Sequence, residues 1–390
     1  MERGEELRRA VAGEPLPLAL IDLMALEANL ATVLAPVRAR GKTLRLATKS
    51  IRSVPLLRLL LERGQGAVRG LMTYAASETH WLAAQGFDDL LLAYPTASAR
   101  DAALLAEVNR TACAAVVADA PEHLHLLSAA ARAAGTRIPV VVEVDLAFRA
   151  LGLHLGVRRS PLRSIDDVVS LCAAADRDPN LGFHGLLGYE AQIAGLGDRP
   201  STRALKRLSR PDVAARRAKL VAACAKAGLT PRLFNGGGTG SLASSAAEDA
   251  VTEVAAGSGF LCGHLFDSYD GLPLVPAAFF ALQVVRRPAP GLVACHGGGY
   301  VASGEAGPSR LPIPAHPPGL RLLALEGAGE VQTPLRVPRN IELRLGDAVL
   351  FRHAKAGELA EHFDEYLLIR DGRIEGRART YRGEGRSFLG

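Results

Sequence analysis

Short apolar runs alternate with longer amphipathic segments along the first 280 residues of the chain. The amphipathic segments carry apolar residues at helical spacing, as at Leu23, Leu26 and Leu30, and predict helices. Strands that alternate with helices in this rhythm indicate βαβ units and a parallel sheet. The runs that predict strands are 16–21, 43–47, 71–73, 89–94, 112–117, 140–144, 185–188 and 232–235.

Eight or so such units over about 250 residues are the size of a (β/α)₈ barrel. We therefore predict an α/β fold in which residues 1–280 form a TIM-type barrel, with residues 1–15 assignable to a second domain instead. A doubly wound open sheet is the alternative. It is disfavoured because no Gly-x-Gly-x-x-Gly sequence opens the first βα turn.

The pattern changes near residue 280, where helical spacing fades and glycine and proline become frequent. Short alternating runs follow at 320–325, 341–345, 366–369 and 373–381, and this alternation is typical of strands. We predict a second, smaller, mainly β domain over residues 281–390.

The composition argues against nucleic-acid and membrane partners. Lysine and arginine number 46 against 40 acidic residues, a net charge of +6, but the excess is spread along the chain and aromatic residues are only 5%. Nucleic-acid binding needs a basic stripe, usually with stacking aromatic side chains. The longest apolar run is too short to cross a bilayer, which takes about 20 residues.

The cysteine pattern fits a reducing compartment. The five cysteines are widely spaced, odd in number and without a Cys-x-x-Cys pair, which argues against a disulfide framework. The charged segment 1–13 has no apolar signal core. We predict a cytoplasmic protein.

Lys49 follows the second apolar run, and the carboxyl ends of barrel strands are where catalytic groups lie. A lysine amine at a barrel mouth can become nucleophilic toward an aldehyde when it is desolvated or lies near other cations. Position alone favours a solvated surface lysine, because lysine is nearly always exposed.

A glycine-rich turn follows the run 232–235 and reads Gly236-Gly237-Gly238-Thr239-Gly240-Ser241. Glycines let the backbone approach an anion closely, so that amide groups can bind phosphate, and the two hydroxyls add donors. The turn lacks the lysine of a nucleotide P-loop. Barrel phosphate sites commonly use the loops after strands seven and eight, so we predict a phosphate site here rather than a flexible turn.

Two further segments are weaker when taken alone. The segment 252–259 contains Gly257, Ser258 and Gly259, which can supply a second set of phosphate-binding amides. Tyr189 ends the seventh run, where a phenol can donate to a cofactor or move a proton. Without further evidence, Tyr189 is better interpreted as a structural residue at the edge of the core than as a catalytic one.

Taken in order, these segments resemble the fold-type III pyridoxal-phosphate enzymes, the group with an alanine-racemase-like barrel. The resemblance is nearest to D-threonine aldolase, D-serine dehydratase-like proteins and proteins labelled amino acid deaminase/aldolase. It runs from about residue 17 to residue 361. It rests on Lys49 and on the segments 17–22, 26–29, 185–192, 237–240, 252–258 and 294–303.

The resemblance implies pyridoxal 5′-phosphate held by Lys49 as an imine, an amino-acid substrate and a homodimer. It also implies lyase chemistry on a β-hydroxy amino acid of D configuration, by aldol cleavage or by deamination. The residues expected at the phosphate are Gly237, Gly238, Thr239, Gly240, Ser241, Gly257, Ser258 and Gly259, and the catalytic side chains expected beside Lys49 are Tyr189, His353 and Lys355.

Two positions near the expected cofactor depart from the family's pattern. Many relatives carry Arg-x-Gly-Val after the sixth strand, where this chain has His154-Leu-Gly156-Val157, with Arg149 five residues earlier. Either Arg149 or His154 can face the cofactor ring. Gln192 is expected at the cofactor and stands, with Ile193, where D-threonine aldolases carry a histidine, which weakens the case for aldol cleavage.

The third departure concerns a divalent metal. The aldolases and dehydratases of this group bind one through His-x-Asp or His-x-Cys near the carboxyl terminus, and this chain reads His353-Ala-Lys355. A charged ammonium cannot be a metal ligand. Three arrangements agree with the sequence: Lys355 replaces the metal's charge, Glu358 or His362 joins His353 as a ligand, or no metal binds.

Two other functions agree with the same residues. An amino-acid racemase on the same cofactor needs two bases on opposite faces of Cα, and Lys49 and Tyr189 can supply them. A non-catalytic protein that binds vitamin B6 is the other alternative. The predicted β domain disfavours it, because such relatives are often the barrel alone.

Overall fold

The computed structural model describes residues 2–150, 152–355 and 357–389. The chain divides into two compact units. The first contains the residues up to 32, residues 50–60 and residues 258–387, and the second contains residues 33–49, residues 61–257 and the chain end from residue 388. Among the described residues, no helix is both long and apolar enough to cross a membrane.

Strands and helices mostly alternate as far as residue 261, and the secondary structure is mainly β thereafter. The strands are β1 (Leu18–Asp22), β2 (Thr43–Ala47), β3 (Val68–Thr73), β4 (Leu90–Leu92), β5 (Ala114–Ala118), β6 (Ile138–Glu143), β7 (Phe148–Ala150), β8 (Leu153–Leu155), β9 (Leu181–Leu187), β10 (Leu233–Gly236), β11 (Glu253–Ala256), β12 (Ala278–Ala289), β13 (Leu292–His296), β14 (Ile313–His316), β15 (Arg321–Leu322), β16 (Gln332–Arg336), β17 (Ala348–Arg352), β18 (Glu365–Arg370) and β19 (Arg373–Arg379). The helices are α1 (Glu2–Ala10), α2 (Leu23–Arg38), α3 (Val54–Arg63), α4 (Ala76–Ala84), α5 (Ala99–Val108), α6 (Pro121–Ala134), α7 (Ile165–Arg177), α8 (Ala191–Ala194), α9 (Pro200–Lys226), α10 (Leu242–Ala246) and α11 (Ser258–Leu261).

Eight parallel strands of the second unit close into a barrel in the order β10-β11-β2-β3-β4-β5-β6-β9. Every residue of β5 is buried, as are the last four residues of β6. Strands that are covered on both faces consist of continuous apolar runs, which is why the sequence predicts these segments well. The predicted TIM-type barrel is therefore confirmed.

Local sequence signals begin and end the helices around the barrel. The Ser98 and Ser164 hydroxyls cap α5 and α7 by accepting from the backbone amides of Asp101 and Asp167. Helix α6 has Pro121 in its first turn and ends at Gly135, whose φ of 65° is left-handed. These caps fix the lengths of the connections between barrel strands.

The first unit contains a nine-stranded, mainly antiparallel sheet. Its main path runs β15-β16-β13-β12-β1-β18-β19, and β17 pairs with β12 and β14. Leu7 of helix α1 and Val11, which follows the helix, belong to an apolar core that also contains Leu20 and Phe279. The prediction of a mainly β second domain is confirmed.

Three strand predictions made from the sequence are wrong. The run 341–345 forms no strand and lies in the connection between β16 and β17. The run 16–21 does not join the barrel, because β1 pairs antiparallel with β12 and parallel with β18 of the sheet. The remaining barrel strand is β11, which pairs with β10 and β2, whereas the sequence pattern predicts only a glycine-containing segment there. The predicted domain boundary at residue 280 lies inside β12, the strand that pairs with β1.

Candidate active site

Four of the predicted segments follow four consecutive strands of the barrel. Strands β9, β10, β11 and β2 are neighbours in this order and are parallel. Tyr189 follows β9, the glycine loop (residues 237–241) follows β10, Gly257 follows β11 and Lys49 follows β2. Only β11 separates the strand of Lys49 from that of the glycine loop, a lateral distance of about 10 Å at the usual strand spacing. The lysine and the glycine loop therefore share one rim of the barrel.

Lys49 is presented by a short, anchored turn. β2 ends at Ala47, and Thr48–Ser50 form a single 3₁₀ turn. Thr48 is buried, and its hydroxyl donates to the Met72 carbonyl on β3 at 3.0 Å. Lys49 itself is exposed. The backbone at residue 49 is thus held in place, while the side chain is accessible.

A buried carboxylate contacts the glycine loop. Glu190 accepts hydrogen bonds from the Gly237 amide at 3.2 Å, from the Ser241 hydroxyl at 2.6 Å and from the Ser245 hydroxyl at 2.5 Å. Gly237 and Ser241 were predicted to bind phosphate, but their donors are directed at Glu190. The turn residues Thr239 and Gly240 form the tip of the loop.

Arg217, from α9, balances the charge of Glu190. Its side chain is fully buried, and its guanidinium donates to Glu190, to the Gly188 carbonyl at 2.8 Å and to Glu248 at 2.8 Å. Burial opposes ionisation of Glu190, but Arg217 and the two serine hydroxyls outweigh burial and lower the pKa of the carboxyl. Glu190 is therefore an ionised carboxylate.

Tyr189 packs against the glycine loop. A methyl group built on Gly238 would lie 3.2 Å from Cε2 of the Tyr189 ring. The Arg159 guanidinium carbon lies 5.1 Å from the centroid of the same ring. Burial, and then the charge of Glu190, raise the pKa of the phenol against the opposing effect of Arg159. The phenol is consequently protonated at neutral pH and can donate a proton.

Arg149 and His154 lie directly opposite each other in the β7–β8 hairpin. Arg149 is exposed and donates to the Asp145 carboxylate at 2.9 Å. His154 is half-buried, and its Nε2 hydrogen-bonds the Val157 carbonyl at 3.2 Å. The guanidinium of Arg149 is thus already paired with a carboxylate.

Two buried polar atoms near this hairpin make no hydrogen bond within the described part of the chain: His154 Nδ1 and Gln192 Oε1. The Gln192 amide nitrogen donates to the Leu146 carbonyl at 2.9 Å. A methyl group built on Gly156 would lie 3.0 Å from Gln192 Oε1, so both atoms belong to one region. An unsatisfied buried polar atom costs about 1–3 kcal/mol, which favours a bound polar group here. Which of Arg149 and His154 faces a cofactor stays a prediction.

Glu143 is a candidate that the sequence-based prediction missed. It ends β6, level with Leu187 on β9, two residues before Tyr189. Burial raises the pKa of its carboxyl to about 7, with Arg159 opposing the shift and Asp119 adding to it. Arg159 also contacts Tyr189, so the two candidates share a neighbour. A strongly shifted carboxyl at a barrel rim is a functional-site candidate, and an acid inside the apolar run 140–144 was the available signal.

We expect Glu143→Gln to change how stability depends on pH. The folded-state pKa of Glu143 lies above its ordinary value of 4.5, so wild-type stability should fall as the pH rises from 4.5 through 7. Glutamine cannot ionise, and the variant should gain roughly 2–3 kcal/mol relative to wild type between pH 5 and pH 8. Urea unfolding at both pH values measures this gain. Glu122→Gln, at an exposed carboxyl in α6, is the control, and parallel pH profiles for E143Q and wild type would contradict the expectation.

Four predicted residues belong to the first unit. Ser258 and Gly259 begin α11, and His353 and Lys355 follow β17. His353 is buried, and neither of its ring nitrogens makes a hydrogen bond within the described residues. The exposed Lys355 donates to the Ser303 hydroxyl at 2.9 Å. Their approach to a substrate stays a prediction.

The side chains near His353 do not fit a divalent metal. In residues 2–150, 152–355 and 357–389, no three His, Cys, Asp or Glu side chains converge as a metal site. The alternative ligands have other contacts: Glu358 accepts from the Ser303 amide at 2.9 and 3.0 Å, and the His362 ring stacks on Tyr300 at 4.5 Å. Lys355 cannot ligate while it is charged.

Comparison with known proteins gives matches over most of the chain. The alanine racemase N-terminal domain family matches residues 21–263. A D-threonine aldolase of Arthrobacter sp is 27% identical over 382 residues, covering 94% of this chain and 93% of that protein. A 3-hydroxy-D-aspartate aldolase of Paracoccus denitrificans (strain Pd 1222) is 28% identical over 244 residues, covering 62% of this chain and 59% of that protein.

Solved structures share the fold over nearly the full length. The D-threonine aldolase from Filomicrobium marinum has a TM-score of 0.83 at 23% identity, with 95% of each chain covered. The D-threo-3-hydroxyaspartate dehydratase from Delftia sp. HT23 has a TM-score of 0.75 at 21% identity, with 95% of this chain and 98% of that chain covered. The chain belongs to the alanine racemase N-terminal domain family and to the fold-type III enzymes, as the sequence resemblance implied.

Proposed function

We propose that the protein is a pyridoxal-phosphate-dependent lyase acting on β-hydroxy amino acids of D configuration. The observation that carries the proposal is the arrangement of Tyr189, the glycine loop and Lys49 after three of four consecutive parallel strands of the barrel. The relatives named D-threonine aldolase and 3-hydroxy-D-aspartate aldolase support the substrate class.

The residues on the rim fit the two functional groups of the cofactor, the aldehyde that reacts and the phosphate that anchors it. Lys49, an exposed residue, would hold the aldehyde through its amine, and the tip of the glycine loop, with Gly257 after the next strand, would hold the phosphate. The unsatisfied atoms of His154 and Gln192 are proposed to meet polar substituents of the cofactor or substrate. The cofactor supplies an electron sink for the electron pair left at Cα when a bond to that carbon breaks.

Tyr189 is proposed to act as the proton donor of the reaction. Cleavage of the Cα–Cβ bond removes the hydroxyl proton of the substrate and returns a proton to Cα, giving an aldehyde and a shorter amino acid. Removal of the Cα proton followed by loss of the β-hydroxyl as water gives, after hydrolysis, an oxo acid and ammonia. A protonated phenol can donate the proton that Cα receives after aldol cleavage, or the proton that the β-hydroxyl needs to leave as water. His353 and Lys355 remain proposed substrate-side groups, and no metal-dependent step is proposed.

The remaining proposals concern assembly and location. We propose a cytoplasmic homodimer whose partners are small amino acids rather than nucleic acid or membrane. The five free cysteines support a reducing compartment, and the dispersed positive charge argues against a nucleic-acid partner. The homodimer rests on the family resemblance alone.

Product analysis with the protein loaded with pyridoxal phosphate tests the proposed function. Serine, threonine and 3-hydroxyaspartate would be supplied separately as D and L isomers. We expect the D isomers to give an aldehyde with glycine, or an oxo acid with ammonia. Formation of the mirror-image amino acid alone would identify a racemase that uses Lys49 and Tyr189. Cofactor binding without turnover of any compound would identify a binding protein.

A further inference from the structure

The carboxylate of Glu190 connects the two ends of the glycine loop. Gly237 begins the loop and donates its amide to Oε2, and Ser241 ends the loop and donates its hydroxyl to Oε1. Ser245, in α10, donates to the same Oε1, and Arg217 donates to Oε2. Both oxygens of one buried carboxylate are therefore satisfied by groups on or beside the loop.

The glycine loop needs such a restraint. Three glycines in five residues leave the unfolded backbone with many accessible conformations, so ordering the loop carries a high entropic cost. Gly237 has a φ of 84°, a left-handed conformation that glycine adopts without steric cost. Hydrogen bonds from both ends of the loop to an ionised acceptor offset that cost, since charge-assisted bonds are stronger than neutral ones.

Arg217 prevents the carboxylate from repelling an anion at the loop. The guanidinium donates to Glu190 through Nη2 and to Glu248 through Nη1. Gly236 makes room for it, because a methyl group built there would overlap Nη2. A carboxylate without a counter-charge next to the loop would repel a bound phosphate. Pairing with Arg217 greatly reduces this repulsion.

We propose that Glu190 is a positioning residue that holds the glycine loop in the conformation that accepts the cofactor phosphate, and that it fixes the adjacent Tyr189 beside the loop. This inference rests on the proposed function. Glu190 is fully buried and makes its contacts with protein groups, so it acts through the loop rather than on the substrate. The rival explanation is a structural one, in which the ion pair with Arg217 stabilises the fold without affecting phosphate recognition.

Binding of pyridoxal phosphate and of pyridoxal separates the two explanations. Both compounds carry the aldehyde for Lys49, but only the first has the phosphate for the loop. The ratio of their dissociation constants, measured on protein freed of cofactor, isolates phosphate recognition. In Glu190→Gln we expect pyridoxal phosphate to bind about tenfold or more weakly, the scale of one lost charge-assisted interaction, with little change for pyridoxal.

Glu248→Gln is the matched control. Glu248 pairs with the same guanidinium but makes no hydrogen bond to the glycine loop among the described contacts. We expect this variant to keep the wild-type ratio of dissociation constants. The structural explanation would be favoured, and the proposal overturned, by either of two results. One is an equal weakening of the preference for pyridoxal phosphate in E248Q and E190Q, and the other is an unchanged preference in E190Q.

Two further outcomes are distinguishable. If E190Q does not fold, Ser245→Ala removes one donor to the carboxylate and leaves the charge in place. We then expect the preference for pyridoxal phosphate over pyridoxal to fall, but by less than in E190Q. An unchanged preference in S245A would overturn the proposal. If wild type shows no preference for the phosphorylated aldehyde, the proposed function itself fails and the role of Glu190 fails with it.

Discussion

Lys49→Ala is expected to abolish covalent attachment of pyridoxal phosphate and to lower turnover by at least about a thousandfold, as when a covalent nucleophile is removed. Lys49 is the residue presented by the turn after β2, and only β11 lies between β2 and the strand that leads to the glycine loop. Alanine keeps the turn, since the anchoring bond from Thr48 to the Met72 carbonyl does not involve the side chain of residue 49.

The measurements are the visible absorbance of the protein-bound cofactor and the rate of product formation. Lys42→Ala is the control, because Lys42 precedes the amino end of the same strand and its ammonium donates to the Val251 and Glu248 carbonyls. We expect K42A to retain both the absorbance band and the turnover. An unchanged band and rate in K49A would refute the assignment of Lys49 and, with it, the proposed function.

The barrel was predictable because most of its strands are continuous apolar runs in the sequence. The segments around Val116 and Val141 are buried on both faces and contain few polar residues. The errors concern strands whose sequence does not decide their partners. Strand β1 is equally apolar and buried, but its register with β12 and β18 depends on residues more than 250 positions away.

Strand β11 illustrates the opposite error. It begins with the buried Glu253, which accepts from Arg45 at 2.7 Å, and its other residues are small. A short run that starts with a charged residue does not indicate a strand by composition. With β11 assigned, the glycine loop follows the seventh barrel strand and Gly257 the eighth, so both expected phosphate segments fall where barrel phosphate sites occur.

The positions of the candidate site residues at the ends of barrel strands were predictable from the sequence. The hydrogen bonds between their side chains were not. Lys49, Tyr189 and the glycine loop could be placed on one rim because parallel strands bring their carboxyl ends together. The role of Glu190 could not be predicted, because its donors lie between 27 and 55 residues away and on two further helices. The direct contact of Ser241 with the phosphate stays a prediction.

Arg217→Ala is expected to lower the free energy of unfolding by about 3–5 kcal/mol, because it leaves the carboxylate of Glu190 buried without its counter-charge. Denaturant unfolding measures this loss. Arg377→Ala is the matched control, since Arg377 also bridges two carboxylates, Glu14 and Glu365, but on the exposed surface. We expect a much smaller loss there, because exposed ion pairs contribute little.

The pH dependence identifies the cause of the loss. In wild type the pKa of Glu190 is lowered, so its contribution is present above its ordinary pKa and is lost as the pH falls. Without Arg217, burial dominates and raises the pKa, so the variant should become more stable, relative to wild type, as the pH falls toward 4.5. Adding Glu190→Gln to R217A should recover part of the lost free energy at pH 8, since no charge then remains to be compensated at residue 190. Equal losses at pH 5 and pH 8, with no recovery in the double variant, would show that Arg217 stabilises the barrel by packing and not by balancing Glu190.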